Sequence, residues 1–112
     1  MTGFGGGVSG SGSVCGALCG AIAAAGVYVG RTEAEDLKAK AKCTALSKDI
    51  ARNFSARMET QLCREILGYL PGHRPPEAPS YEGINPKCAE AVTVAVEEAI
   101  RVIETNSNAA LN

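Results

Sequence analysis

Cysteines are the residues of this 112-residue chain whose type and spacing could do chemistry. Cys15 and Cys19 lie four residues apart in a predicted helix, so both sulfurs project from one face, one turn apart. This spacing suits two ligands of one metal ion or cluster better than a disulfide, because bonded cysteines need Cβ atoms within about 4.5 Å of each other. A Cys15 thiolate in the first helical turn is also stabilised by the helix dipole. The full set is Cys15, Cys19, Cys43, Cys63 and Cys88.

A structural role is the alternative for every cysteine, because cysteine is among the most buried residue types and packs as a small apolar side chain. We predict that role for Cys43, which lies in a lysine-rich helical segment, and leave the role of Cys19 open. The chain has no Cys-x-x-Cys motif and no histidine pair at zinc spacing. Its one histidine, His73, lies in a proline-rich loop, where we expect it to be solvated.

Charge and composition argue against several classes of function. Twelve acidic and eleven basic residues nearly cancel, which leaves no basic footprint for a nucleic-acid partner. Residues 14–30 carry no charge but are rich in Ala and Gly, which predicts a helix buried in protein rather than a membrane span. The first residues lack the basic and apolar regions of a secretory signal, so we expect a cytoplasmic protein. In that compartment cysteines more often do redox or metal chemistry than form structural disulfides.

The elements that must position the cysteines are predicted to be helices of a single all-α domain. No stretch alternates with a period of two, whereas apolar residues recur at helical spacing. We predict a small bundle of three to four helices, completed by dimerisation. Its first parts are a Gly-rich loop over 1–13 and a buried helix over 14–30 capped by Ser13. The segment 33–68 holds a long amphipathic helix (33–58, with a capping box at Thr32) and most of a short helix over 60–69. A proline-rich loop over 69–85, a C-terminal helix over 86–105 and a frayed tail over 106–112 follow.

Apolar stripes on these helices predict which faces are buried. The stripe of the long helix is Leu37, Ala41, Leu46, Ile50, Phe54 and Met58, and that of the last helix is Ala89, Val92, Val96, Ile100 and Ile103.

The uncharged helix carries a stripe of small residues, Gly16, Gly20 and Ala24, which lets another backbone approach closely. Two other helices of one short chain cover this helix only in part, and large exposed apolar patches are unfavourable in water. We therefore predict a homodimer, or a larger oligomer, that buries this face.

The glycine-rich start of the chain resembles a known family. Gly3-Phe4-Gly5-Gly6-Gly7 leads through Gly10 and Gly12 to Cys15-Gly16-Ala17-Leu18-Cys19-Gly20, which is similar to the Phe-Gly-Gly-Gly loop and Cys-Gly-Ala-x-x-Gly signature of the C_GCAxxG_C_C family. The segment Cys63-Arg64-Glu65-Ile66-Leu67-Gly68, and Cys88 in the last helix, resemble the later cysteine positions of that family. Its members are inferred to be redox-active, so the resemblance implies that Cys15, Cys63 and Cys88 are redox residues. Cys19 falls at a variable position of the motif, and Cys43 has no counterpart.

The chain also departs from the family pattern. Family members carry an earlier helix with an Asn-Cys-Ala-type segment before the glycine-rich loop, and this sequence begins at the loop. We therefore expect the first family cysteine to be missing, and one interpretation is that Cys19 supplies a thiol in its place.

Two classes of function stay open. In the first, Cys15, Cys63 and Cys88 exchange disulfides with a redox partner protein, or hold an iron–sulfur cluster or another soft metal together with Cys19. In the second, the protein is a non-catalytic helical oligomerisation protein with structural cysteines. The sequence does not decide between disulfide and metal chemistry, nor whether the protein is an enzyme. A phosphate site in the glycine-rich loop is disfavoured, because no strand precedes the loop and no Gly-Lys-Ser/Thr follows it.

Overall fold

A computed structural model of the chain describes the backbone of residues 2–111 and the side-chain burial of residues 2–106. Within this part of the chain the fold is all-helical, as predicted. A 3₁₀ turn at Thr2–Phe4 precedes four helices: α1 (Gly16–Val29), α2 (Leu37–Met58), α3 (Cys63–Leu67) and α4 (Pro86–Leu111). No strand forms in these residues, where an isolated antiparallel bridge pairs Val14 with Leu62. None of the described helices is long and apolar enough to cross a membrane.

The first helix begins later than predicted. α1 starts at Gly16 with Cys15, not Ser13, as its N-cap residue. The reason is a contact with a distant segment, because the Cys15 N–H donates to the carbonyl of Gln61 at 2.8 Å and holds Cys15 in a non-helical conformation.

The second helix also begins later, at Leu37 instead of residue 33. The Asp36 carboxylate accepts a hydrogen bond from the Ala39 N–H at 3.0 Å and caps the helix there. The capping box predicted at Thr32 is therefore wrong. The short helix α3 is confined to Cys63–Leu67, within the predicted 60–69.

The last helix begins at Pro86, as predicted, and continues to Leu111, past the predicted end at residue 105. Asn112 of the predicted frayed tail lies outside the described residues.

The core forms where α1 packs against both α2 and α4. Its largest fully buried side chains are Leu18, Ile50, Phe54 and Val102. The predicted burial of Ile50 and Phe54 is confirmed, but Leu37 and Ala41 of the same stripe are exposed. The α2 helix has 22 residues against 14 for α1, so α1 is too short to cover α2 along its whole length.

The predicted buried face of α4 is wrong. Val92, Val96 and Ile100 are 52%, 49% and 49% exposed, and Ala89 is exposed as well. Among residues 86–106, whose side-chain burial the structure describes, α4 buries Ala91, Val94, Ala95, Glu98, Ala99 and Val102. The alanines on this second face let the backbones of α1 and α4 approach closely, and the larger side chains stay outside. The helix is apolar on two neighbouring faces, so its periodicity could not select between them.

Candidate functional site

A short antiparallel pairing brings two of the cysteines together. Residues 12–15 run alongside residues 61–64, and the Cys63 N–H donates to the Ser13 carbonyl at 2.7 Å, while the Cys15 N–H donates to the Gln61 carbonyl at 2.8 Å. These two bonds flank the Val14–Leu62 bridge. Because side chains alternate between the two faces of such a ribbon, Cys15 and Cys63 occupy diagonal positions on the same face.

Three helix starts meet at this face. Cys15 is the N-cap residue of α1, Cys63 is the first residue of α3, and Cys88 is the third residue of α4. All three line one cavity of about 290 Å³. Cys63 is buried, and Cys15 and Cys88 are half-buried, so the cavity holds thiols that are shielded from water but not sealed from it. The other walls are apolar or main-chain, from residues 4–7, Gly16, Ala17, Ile66, Leu67, Ala91 and Val92.

The glycine-rich loop forms one side of this cavity. Gly7 is buried at a φ of +67°, and a Cβ there would lie 2.5 Å from the Cβ of Cys63. At Gly16 a Cβ would lie 2.6 Å from the carbonyl oxygen of Phe4. Both glycines therefore let the loop backbone lie directly on the cysteine segments. The space beside Gly16, predicted as part of a subunit interface, is filled by Phe4 of the same chain.

The thiols of the cavity act on one another electrostatically. Burial raises the pKa of Cys63, and proximity to Cys15 and Cys88 raises it further. Burial and the neighbouring Cys15 also raise the pKa of Cys88. A negative charge on one sulfur therefore opposes a second charge nearby. Such a site favours one thiolate at a time, with the other thiols protonated.

The two remaining cysteines lie outside the cavity. Cys19 is half-buried on α1, one turn after Cys15, and burial raises the pKa of its thiol. Cys43 is half-buried on α2, with its Sγ 4.0 Å from the Ser47 Oγ. All five cysteines are free thiols. Across residues 2–111 no group of three or more His, Cys, Asp or Glu residues is arranged to hold a metal ion.

Comparison with known proteins bears on these three thiols. A family model described as "Putative redox-active protein (C_GCAxxG_C_C)" matches residues 1–102. The chain belongs to the C_GCAxxG_C_C family. No curated protein and no solved structure matches it significantly. In this C_GCAxxG_C_C protein, the cavity is lined by the cysteines that resemble the family pattern, and the two others lie apart.

Sequence reasoning missed that the glycine-rich loop lines the site. Phe4 and Gly7 were interpretable only as parts of a loop of tight turns, since nothing local indicates that they contact Gly16 and Cys63. The one signal was the density of glycine in this stretch, which is typical of backbone that approaches another segment closely.

Proposed function

We propose that this protein is a thiol–disulfide redox protein whose reactive residues are Cys15, Cys63 and Cys88. One observation carries the proposal: three cysteines from three different helix starts line the same cavity. Cys15 is the central thiol, because proximity to Cys15 contributes to the raised pKa of each of Cys63, Cys88 and Cys19.

The chemistry requires one thiolate and one nearby thiol. A cavity thiolate attacks a sulfur of a partner disulfide, which forms a mixed disulfide and releases one partner thiolate that takes up a proton. A second cavity cysteine loses its proton and attacks the protein sulfur of that mixed disulfide. This forms the intramolecular disulfide and releases the second partner thiolate. Two electrons pass from the protein thiols to the partner disulfide, and the reverse sequence reduces the protein.

The metal-thiolate alternative has less support. It needs Cys15, Cys19, Cys63 and Cys88 to point at one centre, but Cys19 does not line the cavity, and the described residues contain no group suited to a metal ion.

Oxidation of the reduced full-length protein with diamide tests the proposal. We expect a single intramolecular disulfide that includes Cys15 and either Cys63 or Cys88, with Cys19 and Cys43 still open to alkylation; peptide mass mapping reads the pairing. The reaction should speed up as pH rises above neutral, since the pKa values of Cys63 and Cys88 are raised. Cys15→Ser should slow oxidation at least about tenfold, and Cys43→Ser should leave it unchanged.

Three results would contradict the proposal. These are unreactive cavity thiols, disulfides that involve Cys43 as readily as Cys15, and a stoichiometric metal ion that is lost in Cys15→Ser but not in Cys43→Ser. The last result would favour the metal-thiolate alternative.

We also propose that a second copy of the chain covers an uncharged groove between α1 and α4, of about 330 Å³. Small residues of α1, Gly20 and Ala24 among them, line the groove, and the exposed Val92, Val96 and Ile100 of α4 form a ridge beside it. Each chain therefore carries both a groove and a ridge, so two copies related by a two-fold axis could each place a ridge in the other's groove.

Val96→Lys should convert the dimer into a monomer, because a charge would be buried against an apolar partner surface. Val27→Lys is the matched control: Val27 is also an exposed valine, 91% accessible, but it lies outside the groove and should leave the dimer intact. Sedimentation velocity at micromolar concentration measures both. A monomeric wild-type protein would contradict the proposal, and dimers without cavity oxidation would favour the non-catalytic interaction protein.

A further inference from the structure

Cys88 also lines a second cavity, of about 490 Å³. Cys88 and Leu67 line both this cavity and the one that contains Cys15 and Cys63, so Cys88 lies at the boundary between them. Neither Cys15 nor Cys63 lines the second cavity. We call it the Arg74 vestibule, after the one charged residue in its walls, and its size is that of a small-molecule site.

The polar groups of the vestibule suit an anion. Tyr69, Arg74, Tyr81 and Asn85 are among the lining residues, and no acidic residue lines the walls. The Asn85 side-chain amide lies 3.5 Å from the Tyr69 hydroxyl, which links the proline-rich loop to the start of α4. Amide and hydroxyl donors beside a guanidinium are groups that recognise carboxylate.

Arg74 is held in place without being neutralised. Its guanidinium lies 5.5 Å from the centroid of the Tyr81 ring, and it donates to the Ser80 Oγ at 3.3 Å. In the described part of the chain its hydrogen-bond partners are a carbonyl and this hydroxyl, and it makes no ion pair. The charge is therefore positioned in advance and available to a ligand.

We propose that the Arg74 vestibule binds the carboxylate of a low-molecular-weight disulfide and presents its sulfur–sulfur bond to Cys88. This inference rests on the proposed redox function and specifies its substrate class and its entry thiol. The Cys88 thiolate attacks one sulfur, a bond forms between Cys88 and the small compound, and one small thiolate leaves and is protonated. The Cys15 thiolate then attacks the Cys88 sulfur, which forms the Cys15–Cys88 disulfide and releases the second small thiolate. The two protein thiols are oxidised and the small disulfide is reduced.

Three small disulfides of different charge test the inference on the reduced full-length protein: dithiodipropionate, which is anionic, hydroxyethyl disulfide, which is neutral, and cystamine, which is cationic. Each rate is divided by that of the urea-unfolded chain, to remove the intrinsic reactivity of the reagent. We expect the anionic disulfide to react about tenfold faster than the neutral one and the cationic one to be slowest, with the preference falling at 1 M KCl.

Variants separate the role of Arg74 from a general charge effect. Arg74→Gln should abolish the preference for the anionic disulfide, and Arg74→Lys should restore it in part. Arg31→Gln is the matched control, since Arg31 is likewise exposed, bonded to a backbone carbonyl and outside the vestibule, and it should change nothing. In the double variant Cys15→Ser, Cys63→Ser the adduct cannot be resolved and should be found by mass mapping on Cys88.

Failure of the vestibule inference is distinguishable from failure of the redox proposal. The vestibule inference is wrong if wild type and Arg74→Gln show the same preference for the anionic disulfide, or if the first adduct forms on Cys19 or Cys43. In either case the redox proposal still stands if an intramolecular disulfide forms. No reaction of the cavity thiols with any of the three reagents overturns both.

Discussion

Replacing Gly7 with alanine should lower the free energy of unfolding by about 3 kcal/mol or more. Gly7 has a φ of +67°, a conformation that costs an alanine roughly 1 kcal/mol. The new methyl group would also lie 2.5 Å from the Cys63 Cβ and 2.7 Å from the Ser13 backbone nitrogen and oxygen. Neither neighbour can move easily, because Cys63 and Ser13 are joined by a 2.7 Å backbone hydrogen bond. Urea unfolding measures the loss.

Alanine substitutions at two other glycines separate the conformational cost of Gly7→Ala from its steric cost. Gly10 has a φ of +78° with no atom within 4 Å of an added Cβ, so Gly10→Ala should show the conformational cost alone, about 1 kcal/mol. Gly26 lies inside α1, also with open space beside it, and Gly26→Ala should stabilise the protein by up to about 1 kcal/mol. If Gly7→Ala and Gly10→Ala cost the same, the close approach of the loop to Cys63 is not a feature of the folded protein.

The same substitution bears on the redox site. A loop pushed off Cys63 would expose that thiol, so the alkylation rate of Cys63 in folded Gly7→Ala should exceed that of wild type, with the Cys43 rate unchanged. Peptide mapping after a brief iodoacetamide pulse separates the two cysteines. An increase confined to Cys63 would tie the glycine-rich loop to the protection of the cavity.

The identity of the cavity cysteines could be predicted from the sequence, but their convergence could not. Cys15, Cys63 and Cys88 were indicated by family resemblance, whereas the spacing of Cys15 and Cys19 suggested a helical pair. The two residues are one helical turn apart in the structure, but of this pair only Cys15 lines the cavity. Convergence depends on the pairing of Val14 with Leu62, a contact between distant segments that no local periodicity reports.

The all-helical fold class could be predicted because long segments carry strong apolar periodicity. Which face of each helix is buried, and how closely the helices pack, could not. In α4 the alanines at positions 91, 95 and 99 form one stripe and Val92, Val96 and Ile100 form the next. The second stripe is the more hydrophobic one, yet α1 packs against the alanine stripe, because small side chains allow closer packing of two backbones. The larger stripe, Val92, Val96 and Ile100, stays about half exposed.

The burial of a charged side chain also could not be predicted from the sequence. Glu98 belongs to a set of charged residues of α4, with Glu97, Arg101 and Glu104, that the sequence predicts to face water. In the structure Glu98 is only 7% exposed and accepts hydrogen bonds from two helices. Its donors are Asn53 and Arg57 of α2, at 3.1 and 3.2 Å, and Arg101 of α4, at 2.9 Å. This network fixes α2 against the middle of α4, and no pattern in either helix alone predicts it.

Glu98→Gln should therefore destabilise the protein at pH 7 by about 1–3 kcal/mol, because it removes the charge that these donors stabilise. Burial opposes the charged carboxylate, but hydrogen bonds from Arg101, Arg57 and Asn53 outweigh it and lower the pKa of Glu98. A carboxyl whose pKa is lower in the folded state contributes stability above its unfolded pKa, near 4.3, and loses it as pH falls through the folded value. The gap between wild type and Glu98→Gln should thus be widest at neutral pH and shrink below about pH 4.

The matched control for this pH dependence is Glu104→Gln on the same helix. Glu104 is exposed and makes no hydrogen bond or ion pair with the described residues, so its replacement should change the free energy of unfolding little at any pH. Urea unfolding from pH 3 to pH 8 compares the three proteins. Parallel curves for wild type and Glu98→Gln would mean that the charge of Glu98 does not hold α2 against α4. A gap that closes in acid would identify this carboxylate as an electrostatic link between the two helices.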